Sequence, residues 1–197
     1  MIKANSDYEN QTFQKLVCQD QSITETVFTD CIFEDCDFSG TDFSLTKFVE
    51  CKFLNCNLSN LMFSETSLNE AVFKGCKLLG IDFSNCNKFM LSIKFNRSTI
   101  ELCSFSDLKL PDTQFTECRI IESDFADTDL AGSDFSDSDL RGSTFQRCNL
   151  SGCDFSSAKN YFMNPWENKM AKAQFSVPEV LSLFSPFDMV IHPFDEA

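Results

Sequence analysis

The large apolar residues of this chain recur every five residues. With that position called i, Phe28, Phe33, Phe38, Phe43, Phe48, Phe53, Leu58, Phe63, Leu68, Phe73, Leu78 and Phe83 occupy it without a break. Phe13 and Ile23 extend the register backward, with Cys18 between them. A second series holds Phe95, Ile100, Phe105, Leu110, Phe115, Ile120, Phe125, Leu130, Phe135, Leu140, Phe145, Leu150 and Phe155. The two series are out of phase by two residues, and the slip lies in SNCNKFMLS, residues 84–92. A period of five fits neither a 3.6-residue helix nor an alternating strand. The chain must turn a corner every five residues.

Position i−2 is small or short, as in Cys31, Cys36, Thr41, Thr46, Cys51 and Cys56 and again in Ser123, Thr128, Ser133 and Ser138. In extended chain, i and i−2 face the same way. Four such sides close a square coil of about twenty residues with i and i−2 inside, right-handed by the crossover rule. From Phe53 onward, position i mostly alternates Phe with Leu or Ile. That places Phe on two opposite walls and aliphatic residues on the other two, so that large and medium side chains interdigitate.

Ten of the 11 cysteines fall on i−2. Cys36, Cys56 and Cys76 then form a ladder on one wall, with rungs about 4.8 Å apart. That spacing is too wide for an unstrained disulfide. A linear ladder does not converge as tetrahedral zinc requires. The cysteines read as buried free thiols, and neither metal nor cofactor is expected. The N-terminal MIKANSDYEN lacks an apolar leader, and no apolar run is long enough to span a membrane. The expected location is the cytoplasm, where thiols stay reduced. The one histidine, His192, sits near the C-terminus without a catalytic constellation, and no phosphate-binding glycine motif is present. No enzymatic activity is expected.

The net charge of −14 opposes binding to nucleic acid or to an anionic membrane and favours a basic protein partner. The acids recur at i−1 and i+2, both outward positions. The expected partner-binding surface is Asp35, Asp37, Asp42, Asp107, Glu117, Glu122, Asp124, Asp127, Asp129, Asp134, Asp137, Asp139 and Asp154. Stacking should align Asp107 with Asp127, Glu117 with Asp137 and Asp134 with Asp154. About 7.5 coils make a rod of roughly 36 Å. Two rods end to end carry about one charge per 2.5 Å, against one per ~1.7 Å for duplex DNA.

The repeats end near residue 160. Asn164-Pro165-Trp166-Glu167 reads as a helix start, and Ser176-Val177-Pro178-Glu179 as a second one followed by an apolar stripe. Ala173 and Phe175 regain the i−2 and i register. A solenoid end must be capped, and this segment supplies a cap. Its surplus of apolar residues points to a homodimer through Leu181, Phe184, Phe187, Met189 and Ile191.

CDFSG (36–40), TDFSL (41–45), CNLSN (56–60), TDLAG (128–132), SDFSD (133–137), SDLRG (138–142), CNLSG (148–152) and CDFSS (153–157) resemble the pentapeptide-repeat family over about residues 11–160. The resemblance implies an all-β fold, a right-handed quadrilateral parallel β-helix, with a short α-helical C-terminal cap. The expected divisions are an N-terminal extension at 1–10, repeat halves at 11–87 and 88–160, and a cap and dimerisation segment at 161–197. The tail residues Asn164, Pro165, Asn168, Lys169, Ala173, Phe175, Ser176, Pro178, Glu179, Leu181, Leu183, Phe187, Asp188 and Ile191 look like those of the quinolone-resistance, Qnr-type, members. That likeness implies a DNA-mimicking dimer that binds DNA gyrase or topoisomerase IV and protects it from fluoroquinolones. The sequence also leaves open a repeat scaffold for another protein, or an immunity factor against a gyrase-directed toxin. Protruding loops of the kind some members carry are absent, the slip at 84–92 being the sole insertion.

Overall fold

The computed structural model describes residues 2–187, 189 and 190. The chain winds as a four-sided parallel coil in which each residue pairs with the one twenty positions on. The first wall holds strands Asp7–Glu9, Val27–Thr29, Lys47–Val49 and Ser67–Asn69. The second holds Thr12–Gln14, Ile32–Glu34, Lys52–Leu54, Ala71–Lys74, Ile93–Asn96 and Phe115–Thr116. The third contains Lys77–Leu79, Thr99–Glu101 and Arg119–Ile121, and below and above them single bridges such as Asp37↔Asn57 and Asp139↔Lys159. The fourth is made of single bridges alone, among them Ser22↔Asp42↔Met62 and Asp82↔Ser104↔Asp124↔Thr144. Residues 7–9 are already strand, and Tyr8 stacks on Phe28 at 5.2 Å, so the lattice reaches back beyond Phe13.

Position i fills the bore. The second wall is a column of phenylalanines from Phe13 to Phe175, with neighbouring rings 4.8 to 5.4 Å apart and nearly parallel. Phe83, Phe105, Phe125 and Phe145 stack likewise on the opposite, fourth wall. The two columns meet edge to face, as Phe115 and Phe125 do at 84°. This is the favoured aromatic geometry in both directions. Leu110, Leu130 and Leu150 line the first wall, and Ile100, Ile120 and Leu140 the third, all buried.

Position i−2 has a role that the sequence reading did not expose. Its side chain donates to a backbone carbonyl of the coil below: Thr41 Oγ1 to Cys18 O at 2.6 Å, Cys56 Sγ to Phe33 O at 3.3 Å, Ser133 Oγ to Leu110 O at 3.0 Å. Cys, Thr and Ser alternate there because each is small and brings one donor. Position i+2 turns the corner in the left-handed region, with φ of +53° at Asp35 and +49° at Glu122. At Gly40, which takes the same corner, a Cβ would collide with Asp20 Oδ1.

The slip does not interrupt the stack. Phe73 pairs with Phe95, an offset of 22, and their rings lie 5.1 Å apart. The two extra residues are taken up on the first wall, between Asn87 and Ser92. There Lys88 Nζ reaches Asp107 Oδ2 at 2.6 Å and the Phe89 amide donates to Asn87 Oδ1 at 2.9 Å.

At the C-terminal end the coil continues to Phe175, which stacks on Phe155, while Gln174 bridges Asp154. The expected helix at Asn164 is instead a turn: Asn164 accepts from the Trp166 amide at 3.0 Å and donates to Glu167 at 2.9 Å. Asn168 sits at i−2, where it accepts from Cys148 N at 2.8 Å and so holds this segment in the lattice. The second expected start does lead to a helix, of the tighter 3-10 type, over Glu179–Phe187. Leu181 N donates to Pro178 O, three residues back. Ser176 does not cap it; its hydroxyl donates to the Ser156 carbonyl and ties the cap to the last coil.

Phe135 is fully buried between Phe115 and Phe155. Phe135→Ala should cost about 3–5 kcal/mol in urea unfolding, whereas Phe89→Ala, at a site 78% exposed, should cost almost nothing.

Candidate protein-binding surface

The expected acidic residues fall into two kinds. Asp37, Asp42, Asp124, Asp129, Asp134, Asp139 and Asp154 occupy i−1 and are half-buried. Each accepts a hydrogen bond from the amide two residues on, as Asp124 does from Ala126 at 3.0 Å and Asp154 from Ser156 at 2.8 Å. These are Asx turns, which fix the corner that follows. Asn57 and Asn149 make the same bond with a neutral side chain. This part of the acidity is therefore built into the fold.

Asp35, Asp107, Glu117, Glu122, Asp127 and Asp137 occupy i+2, the left-handed corner, and are exposed. Residue type there is loosely constrained, since Lys15, Leu45, Arg97, Arg147 and Lys172 adopt the same φ. Glu50, Glu65 and Glu70 hold equivalent corners and belong to the exposed acidic set. The i+2 register that picks out Asp35 also picks them out.

The columns are not uniformly negative. Arg97 pairs with Glu117 at 2.8 Å, Arg147 with Asp127 at 2.6 Å, Lys88 with Asp107 at 2.6 Å and Arg141 with Asp139 at 3.1 Å. The Arg97 guanidinium holds Glu117 below the usual carboxylate range, and Arg147 does the same for Asp127. Exposed pairs of this kind add little stability, but they remove charge from the corners where they form. Asp134 and Asp154 do stack as bridge partners with no base between them.

Burial alone would raise Asp124. Hydrogen bonds from Thr144, Ser106 and the Ala126 amide outweigh it and hold the carboxyl below its ordinary value. Asp37 behaves alike: burial is opposed by Ser39, Gln19 and Asn57.

All the cysteines are free and buried. Burial pushes Cys51 and Cys118 up to about 12 and Cys103 to about 11. A thiol so raised is protonated at neutral pH and unreactive. Among the described residues, no group of side chains is arranged to hold a metal ion and no helix is long and apolar enough to cross a membrane.

A second exposed surface lies at the C-terminal end. Of the expected dimer residues, Leu181, Phe184 and Met189 are exposed and Phe187 is half-buried; Ile191 lies outside the described residues. Trp166, 81% exposed, joins them with its ring 5.9 Å from Phe187. In the sequence its place in Asn164-Pro165-Trp166-Glu167 reads as a helix start, which gives no sign of this exposed position.

A four-sided solenoid built on a five-residue unit, with acids at its corners, defines a repeat protein with a regular outer surface. Residues 26–101 and 88–155 match the pentapeptide repeat region family, and the chain belongs to the pentapeptide-repeat family. Its fold is that of trypsin-treated QnrB1, a plasmid-mediated fluoroquinolone resistance protein. One such structure has a TM-score of 0.72 at 17% identity, covering 96% of this chain and 99% of that one. A second gives 0.66 at 17% identity, with coverage of 92% and 100%. No curated protein matches the sequence.

Native protein should show no reactive thiol at neutral pH, and denaturation should release 11 in a colorimetric titration. The depressed carboxyls of Asp37 and Asp124 add stability that is present above the ordinary aspartate value and lost as pH falls through the depressed one. Asp124→Asn keeps the turn acceptor but does not titrate. Its stability should therefore fall less steeply than wild type between about pH 5 and pH 2, as thermal melts across that range would show.

Proposed function

We propose that the protein is a DNA mimic that binds a type II topoisomerase, DNA gyrase or topoisomerase IV, in the cytoplasm and protects it from fluoroquinolones. The observation that carries this reading is a rod with the QnrB1 fold whose carboxylates are held by a rigid ladder at repeating positions. Anions fixed along a rod can occupy a protein groove built for the phosphates of duplex DNA. Reduced, buried cysteines fit a reducing compartment. The apolar C-terminal surface, with Trp166, Leu181, Phe184 and Met189 exposed, fits a homodimer that doubles the rod's length.

Added to DNA gyrase with a fluoroquinolone, the protein should restore supercoiling. Absence of rescue together with absence of gyrase binding would reject the reading. Phe184→Asp should convert the dimer to monomer in analytical ultracentrifugation without loss of the β-coil spectrum.

A further inference from the structure

We infer that the rod has one partner-facing wall, the fourth, and that its occupant is a basic protein surface with apolar pockets. The inference rests on the proposed reading that the partner is a DNA-binding groove.

The apolar side chains mark this wall first. In the body of the rod the exposed large hydrophobics are Val17, Leu45, Met62, Phe89, Met90 and Leu102. Met62 lies on the fourth wall, bridged to Asp42. Leu45 and Leu102 turn its two corners. Phe89 and Met90 belong to the first wall, where the slip is taken up beyond Asn87. Val17 lies on the third wall, so the fourth, with Met62 on its face and Leu45 and Leu102 at its corners, holds three of the six. A shallow groove of about 310 Å³ indents the fourth wall, with Met62 and Asp82 among its lining residues. Exposed apolar groups gathered on one side of an otherwise polar rod mark an interaction site.

Charge then selects the occupant. From Ser22 to Gln146 the outward positions i−1 and i+1 of this wall carry no lysine or arginine. They carry Asp42, Asp82 and Asp124, whose bonded partners among the described residues are neutral: Ser44, Ser84, Asn85, Ser106 and Thr144. Its corners add Glu25, Glu65 and Glu122, and the base there, Arg147, is paired to Asp127. The opposite wall carries Lys52, Lys74 and Lys94 beside Glu34, Asp134 and Asp154, so its charges offset one another. Only a basic surface complements the fourth wall, and a like-charged one would be rejected.

Corner residues allow a test at little cost to folding, because lysine already occupies this conformation at Lys15 and Lys172. Three variants are compared for binding to DNA gyrase: Glu25, Glu65 and Glu122→Lys on the fourth wall; Asp35, Glu70 and Asp137→Lys flanking the second; and the charge-neutral Leu45→Asn, Met62→Ser, Leu102→Asn set. Melting curves verify that each is folded, and Glu122→Lys and Met62→Ser alone serve if a triple variant is not. The fourth-wall charge set and the neutral set should each weaken binding by about tenfold or more, and the second-wall set by less than about threefold. Equal loss from the two charge sets, or no loss from the neutral set, would overturn the inference while gyrase binding by the wild type stands. Failure of the wild type to bind gyrase would reject the functional reading and this inference with it.

Discussion

Every feature of this rod depends on one hydrogen bond repeated: the backbone amide of one coil donating to the carbonyl of the next, as Leu130 N does to Asn149 O at 2.9 Å. The corners need that ladder. A non-glycine residue in the left-handed region costs roughly 1–2 kcal/mol, and corners such as Asp35, Glu122 and Arg147 all incur it. The ladder, the i−2 donors and the stacked rings together offset that cost, and no single pentapeptide could adopt its conformation alone. Cooperation between coils is what makes the surface rigid.

That rigidity gives the two acidic positions different meanings. A carboxylate at i−1 is partly consumed by the fold, since it accepts the amide that shapes the next corner. A carboxylate at i+2 is not needed to shape the corner its backbone turns, and its column neighbours include Arg97 and Arg147 as well as acids. Charge at the corners can vary with little consequence for the coil.

The period of five, the inside position of i and i−2, and the alternation of Phe walls with Leu and Ile walls were all legible in the sequence, because packing in a narrow bore admits few residue types. The free thiols followed from the same lattice. The ion pairs were harder to see: Arg97 and Glu117 are twenty residues apart, and only the closed coil brings them together. Glu50, Glu65 and Glu70 were legible but overlooked. The cap was misread where local signals outweighed tertiary ones. Asn164-Pro165 has the composition of a helix start, yet Asn168 is held by the Cys148 amide and the segment turns instead. Ser176 has the composition of a cap, yet its hydroxyl is drawn to Ser156 in the coil beneath.

The slip at 84–92 also bears on how so repetitive a chain finds its own alignment. On the second wall Phe33, Phe53 and Phe73 are interchangeable, so a coil could dock one step too far at small cost. Across the slip the spacing is 22, as Phe73 and Phe95 show. Pairing at twenty there would turn Phe95, Phe105 and Phe115 outward together. The two extra residues therefore act as an index mark, a single place along the rod where its two parts can be joined in only one way.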